Sequence, residues 1–169
     1  MNFKDIACQD FVEIHKNLWL GSKMTILNLI TKNEIDVLVP LDDLTSDIWK
    51  YGYTGEIEYC PIEDFGVLPK NIEKIIVDKI VNYIKNDKSV AVFCSGGKGR
   101  TGYIASLVLK ELNCISHENG VIGHLRDVYN KEAVESYKQI SRAAESELVE
   151  YWKKESYENQ WIYNCIIKK

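Results

Sequence analysis

The sequence predicts an α/β fold with its helices gathered in the C-terminal half. Three observations predict it: short apolar runs of strand length dominate before residue 63, helical periodicity begins after Pro69, and a glycine-rich loop joins a buried run to a buried helix. "NLWLGS" (17–22), "IDVLVPL" (35–41) and "GEIEYCPI" (55–62) are short and rich in Val, Ile, Leu or aromatics, so each reads as a strand and the first half as mainly sheet. Pro69 suits a first helical turn, and Ile72, Ile75, Ile76, Ile80, Tyr83 and Ile84 then recur at helical spacing until Asn86 and Asp87 stop the run. "SVAVFC" (89–94) is an apolar run of the length of a central strand buried on both faces. The nearly all-apolar stretch from Thr101 to Leu112 predicts a buried helix, and two more helices are expected over 117–129 and 133–155.

A chain of 169 residues with 46% hydrophobic content is expected to form a single domain over 1–169. A net charge of -4 argues against a nucleic-acid or anionic-membrane partner, since either needs a dominant positive field. "MNFKDIACQD" carries Lys4 and Asp5 before any apolar run, and no stretch approaches a membrane span, so a soluble, cytoplasmic protein is expected. Five cysteines (Cys8, Cys60, Cys94, Cys114, Cys165) at irregular spacing, with no C-x-x-C pair, suit a reduced compartment and suggest neither a disulfide framework nor structural zinc.

The chemistry concentrates in "FCSGGKGRTG" (93–102). Four glycines within seven residues let backbone N–H groups converge, and the following helix adds unpaired N–H groups and a positive dipole end, which together cradle an oxyanion. Arg100 supplies a planar fork matched to two phosphate oxygens, and Lys98 a point charge. Cys94, at the strand's end inside that positive field, is placed to act as a thiolate nucleophile. Gly97 to Gly102 also matches G-x-G-x-x-G, but a dinucleotide site needs a second strand ending in an acidic residue, and 116–129 reads as helix. A Walker A loop fails because Lys98 is followed by Gly99.

Cys94, five intervening residues, Arg100, Thr101 and Gly102 resemble the C-x5-R-[S/T]-G signature of cysteine-dependent protein tyrosine and dual-specificity phosphatases. "EIHKNLWLGS" (13–22) resembles the opening strand of the dual-specificity members, "CPIEDFGVLP" (60–69) their general-acid loop, and "AVESYKQ" (133–139) a segment of compact archaeal-type tyrosine phosphatases. The resemblance implies a central mixed, mainly parallel sheet flanked by helices and a two-step hydrolysis of phosphomonoesters, phosphotyrosine foremost, on a phosphorylated protein without metal or cofactor; the sequence leaves the oligomeric state open, with a monomer expected. It implies Cys94 as the nucleophile forming a phosphocysteine intermediate, Arg100 holding the phosphoryl oxygens, and the backbone of Ser95, Gly96, Gly97, Lys98, Gly99 and Arg100 as the cradle. Thr101 would bond the thiolate and help it leave, and Asp64 would protonate the leaving oxygen and then deprotonate the attacking water. Gly66 and Pro69 beside it would let that loop move over the substrate.

Two positions depart from the family pattern. The histidine usual before the cysteine is Phe93, and the water-positioning glutamine corresponds to Glu135, with Gln139 matching a nearby second glutamine and standing as the water-positioning candidate. Glu63 is an alternative carboxylate to Asp64. Lys98 either steers acidic substrates or is simply solvated. His117 and His124 share a predicted helix face without a third ligand, and they and His15 read as surface residues. Cys60 reads as an inert thiol, with an oxidative pairing to Cys94 as the alternative. Tyr151, Trp152, Tyr157, Trp161 and Tyr163 suggest a helix packing onto the domain. Two other functions stay open. "GKGRTG" also resembles the loop of tensin-related lipid phosphatases, implying a phosphoinositide or inositol-phosphate substrate, although Ser95 stands where those commonly carry a second basic residue. Phe93 leaves room for a catalytically silent phosphate-binding module.

Overall fold

The computed structural model describes residues 11–32, 34–42, 52–113 and 119–145. Strands β1 (Val12–His15) and β2 (Leu18–Ser22) lead through a 3-10 turn (Lys23–Thr25) into helix α1 (Ile26–Lys32). Then come β3 (Val37–Pro40), β4 (Glu56–Ile57), α2 (Lys70–Lys85), β5 (Val90–Cys94), α3 (Gly99–Glu111), α4 (Gly120–Val128) and α5 (Tyr137–Ala143). The strands form a five-stranded sheet in the order β1-β2-β5-β3-β4, in which β1 alone runs antiparallel. The sheet is thus mixed and mainly parallel, as the sequence led us to expect.

Register follows from burying every residue of β5. Leu18 to Ser22 pair with Val90 to Cys94 on one side, and Val37 to Pro40 with Val90 to Phe93 on the other. Alternation along the strands then sorts side chains between two cores. Val90, Val92 and Cys94 join Leu18, Leu20, Val37 and Val39 beneath α2 and α3. Ala91, Phe93 and Leu38 join Ile26, Leu29 and Ile35 on the opposite face. Because α1 joins β2 to β3 and α2 joins β4 to β5 as crossovers between parallel strands, the carboxyl ends of those strands share one edge, where ligands of open α/β sheets bind, and α3 leaves from that edge after β5.

Four expectations need correction. The opening segment is a β1–β2 hairpin rather than one strand, its turn made by Asn17 at φ 70°. The third strand pairs only over Glu56–Ile57, although Glu58, Cys60 and Ile62 still donate backbone bonds to Leu38, Pro40 and Leu41; Pro40 in β3 has no N–H with which to return a bond, so the regular ladder stops there. Among the described residues the first half is not mainly sheet, because α1 was hidden by β-branched residues in a short stretch, "ILNLITK". The helix expected from 133 begins at Tyr137: Val134 stands at φ 63°, and Ser136 caps the helix in a capping box with Gln139. The helix expected over 117–129 runs from Gly120 to Val128. Cys8, Cys114, His117, Cys165, the aromatic C-terminal stretch and the end of the 133–155 helix lie outside the described residues. Among the described residues no helix is long and apolar enough to cross a membrane.

Phe93 is fully buried in the second core, its ring edge-on to Phe11 with centroids 6.2 Å apart. Its side chain points away from the face that carries Cys94. Phe93→His places imidazole nitrogens among Ile26, Leu29 and Leu38 and is expected to cost about 1–3 kcal/mol. Equilibrium urea denaturation checks this; an unchanged midpoint contradicts the packing role.

Candidate active site

β5 ends at Cys94, opposite Ser22 at the carboxyl edge of the sheet, and α3 starts only five residues later. Reversing the chain that quickly requires a left-handed residue, and Gly97 is at φ 71° with the position of a Cβ only 2.8 Å from the carbonyl of Gly21. The turn brings the Gly97 N–H to 3.2 Å from Cys94 Sγ, and the first turn of α3 brings the Thr101 hydroxyl to 3.1 Å from the same sulfur. Cys94 and Thr101 are both buried. Two donors aimed at one sulfur are the environment that an anionic sulfur accepts.

The surrounding segments hold the loop by its carbonyls. Lys98 O accepts from Gly102 N–H at 2.9 Å and Val134 N–H at 3.2 Å, and the Tyr129 hydroxyl donates to Gly97 O. Arg126 fixes the 133–134 turn by donating to the carbonyls of Ala133 and Val134, each at 3.1 Å. Gly102 lies so close to that turn that a Cβ would stand 2.7 Å from Val134 N.

Arg100 is almost buried, its side chain 10% exposed. Nη1 donates to Ile62 O at 3.1 Å, while Nη2 lies 3.4 Å from Asp42 Oδ2 and 3.7 Å from Asp64 Oδ1. The structure therefore brings Asp64 to the arginine and leaves the Glu63 side chain exposed, its carbonyl accepting from Gly66 N–H in the same turn. Asp64 is itself 66% exposed, and Oδ1 accepts from Phe65 N–H at 3.1 Å. Phe65 stands at φ 59° with its ring 56% exposed.

Asp42 is a site residue that the sequence reading missed. It follows β3 at the edge where β5 ends, and its Oδ2 accepts from the Ser95 hydroxyl as well as from Arg100. Among the described residues, the buried Oδ1 has no hydrogen-bond partner. The available signal was an acidic pair directly after an apolar strand, "VLVPLDD".

The other candidates occupy the rim. Lys98 pairs with the Glu132 carboxylate, and its hydrogen bond holds that group below the usual carboxylate range. Gly96 has open space around it. Glu135 Oε1 accepts from Gly99 N–H at 2.9 Å. Gln139 is fully buried with both ends of its carboxamide committed: Oε1 accepts from the N–H groups of Glu135 and Ser136, and Nε2 donates to Gly66 O at 3.1 Å. It ties the Asp64 loop to α5. Cys60 is a buried thiol pushed upward by burial and then by Glu58. His15 bonds the neighbouring Lys16 carbonyl, and among the described residues no group of three His, Cys, Asp or Glu side chains is placed to hold a metal.

Gly97→Ala is expected to abolish binding of an oxyanion such as vanadate, because the methyl meets Gly21 backbone and the backbone prefers another φ. Gly96→Ala, in open space, is expected to weaken it far less. Calorimetric titration of both variants checks the contrast.

No family model matches the chain. The uncharacterized protein MJECL20 of Methanocaldococcus jannaschii is 35% identical over 126 residues, which cover 72% of this chain and 80% of that protein. The crystal structure of Tk-PTP in the active form aligns with a TM-score of 0.66 at 21% identity, covering 80% of this chain and 94% of that one. A mouse putative dual specificity phosphatase complexed with zinc tungstate aligns with a TM-score of 0.64 at 12% identity, covering 85% and 89%. The chain therefore belongs to one family with the Methanocaldococcus jannaschii protein, and its fold is that of the protein tyrosine and dual-specificity phosphatases.

Proposed function

We propose that the chain is a phosphatase that hydrolyses phosphotyrosine monoesters of proteins, and phosphoserine or phosphothreonine where they reach the nucleophile, through a phosphocysteine intermediate. The observation that carries this reading is the sulfur of Cys94 held by two donors in a glycine-rich turn whose arginine faces a carboxylate on a separate loop.

In the first step Cys94 Sγ attacks phosphorus and the bond to the leaving oxygen breaks. Arg100 and the loop N–H groups take up the charge on the equatorial oxygens, and Asp64 gives its proton to the departing phenoxide or alkoxide. In the second step Asp64 takes a proton from water, the water oxygen bonds phosphorus, and the S–P bond breaks to return the thiolate. Thr101, already donating to Sγ, stabilises that leaving group. Asp42 and Ser95 support the cradle from below, with Asp42 sharing Arg100 and accepting from Ser95.

Phe65 supports an aryl substrate. A bulky residue at positive φ with an exposed ring is costly, and beside Asp64 it offers a flat apolar face to a phenyl ring whose phosphate sits in the cradle. The inositide alternative is weakened because the Lys98 charge is shared with Glu132. Phe93, which suggested a silent module, has a packing explanation on the other face of the sheet.

Cys94→Ser is expected to abolish phosphate release from a phosphotyrosine peptide while retaining binding of the peptide. Loss of both would mean a structural cysteine. Asp64→Ala is expected to slow turnover of phenyl or alkyl phosphates by about a hundredfold or more, and of activated aryl phosphates much less. Equal losses on both substrates would remove Asp64 from the acid role.

A further inference from the structure

Leu68 lies four residues after Asp64 and directly before Pro69, and both of its backbone groups are held by side chains, one fully buried and one partly buried. Its N–H donates to the Tyr103 hydroxyl oxygen at 3.3 Å, and its carbonyl accepts from Arg142 Nη1 at 3.2 Å. The Tyr103 hydroxyl in turn donates to Glu73 Oε2, which also accepts from Arg142 Nη1 at 2.7 Å. These bonds close a ring through one backbone residue and three side chains from α2, α3 and α5.

The ring is well protected. Tyr103 is fully buried, and the Glu73 and Arg142 side chains are 13% and 20% exposed. Burial first, and then the bond to Glu73, raises the Tyr103 phenol above its ordinary range, so it remains a neutral donor. Tyr103 lies three residues after Arg100 on α3, so the helix that carries the phosphate-facing arginine also grips the end of the Asp64 loop. Arg100 Nη1 holds the loop at Ile62 O, and Gln139 holds it at Gly66 O. Only Glu63, Asp64 and Phe65 protrude between these anchors, all exposed.

We propose that the Tyr103–Glu73–Arg142 ring is a positioning site for the Asp64 loop: it fixes the C-terminal end of the loop and thereby the height of the Asp64 carboxyl over the bound phosphate. This rests on the reading of Asp64 as the acid. The ring touches no substrate atom, so its effect passes entirely through Asp64. It acts on leaving-group protonation and not on the attack by Cys94.

The test uses Tyr103→Phe, which removes the hydroxyl and keeps the ring volume, alone and combined with Asp64→Ala. Backbone amide exchange at Leu68 and its neighbours is expected to quicken about tenfold, with the exchange of β5 unchanged. Turnover of an alkyl phosphate is expected to fall about tenfold and that of an activated aryl phosphate less than about twofold, with no further loss in the Asp64→Ala background. Equal losses on both substrates, or an added loss in the double variant, would assign the ring a merely structural role. Unchanged exchange at Leu68 overturns the ring as an anchor, whatever Asp64 does. If Asp64→Ala alone shows no leaving-group dependence, the acid assignment fails and takes the catalytic part of the proposal with it. Should Tyr103→Phe not fold, Arg142→Met, which keeps a long side chain but has no N–H to give to Leu68 O and Glu73 Oε2, is expected to give the same split.

Discussion

The sulfur of Cys94 accepts from a backbone N–H three residues on and a hydroxyl seven residues on, and much of the molecule is arranged to permit this. The chain must turn from a buried strand into a buried helix with no room for side chains on its inner side. Gly97 presses against the Gly21 carbonyl and Gly102 against Val134 N, so the turn is only as well placed as β2 on one side and the 133–134 turn on the other. The parallel pairing of Leu18–Ser22 with β5 supplies the first, and Arg126 supplies the second by holding two carbonyls of that turn. A local motif thus depends on a register and a distant loop.

Charge follows from the same arrangement. A guanidinium 10% exposed needs compensation, and Arg100 finds it in two carboxylates and a carbonyl. Its separations from Asp42 and Asp64 are 3.4 and 3.7 Å, long for charge-assisted hydrogen bonds, so neither carboxylate engages the fork in the paired way that a phosphate would. Asp64 is exposed and can yield, whereas Asp42 is buried and remains. Under the proposed function, an arriving phosphate dianion would replace one partner of the arginine and keep the other as its support. Lys98, engaged with Glu132 at the rim, adds charge at a distance and not a second fork.

What could be read from the sequence was what depends on near neighbours. Glycine density around Lys98, the periodicity of α2 and the unbroken apolar run of β5 are local signals. Asp42, Tyr103 and Glu73 meet their partners across separations of 58, 35 and 69 residues, and no local pattern names those partners. Asp42 was recoverable only in principle, by knowing that β3 lies beside β5. Tyr103 read as one more apolar residue of a buried helix, and its hydroxyl matters only because the Leu68 N–H arrives from another element. Phe93 was legible in another sense: the sequence marked it as the place of a missing histidine, and strand alternation shows what the ring does instead, facing Phe11 and α1 where apolar contact is needed. The start of α5 was misplaced although "SYKQ" carries the capping-box signature, because apolar Ala133 and Val134 extended the helical pattern backward.

Helix α5 shows how such distant contacts become one event. A seven-residue helix is too short to persist by its own hydrogen bonds. The Gln139 carboxamide that completes its capping box also donates to Gly66, Arg142 one turn on grips Leu68, and Glu135 just before the cap takes the Gly99 N–H. Forming the helix and assembling the site therefore draw on the same side chains, and neither is complete without the other. The Asp64 loop is then held by bonds that cost little additional ordering, since each partner is already fixed by packing or capping. The strain of Phe65 at positive φ persists on the same ground: with Ile62, Gly66 and Leu68 all anchored, the three residues between have few other ways to close the turn.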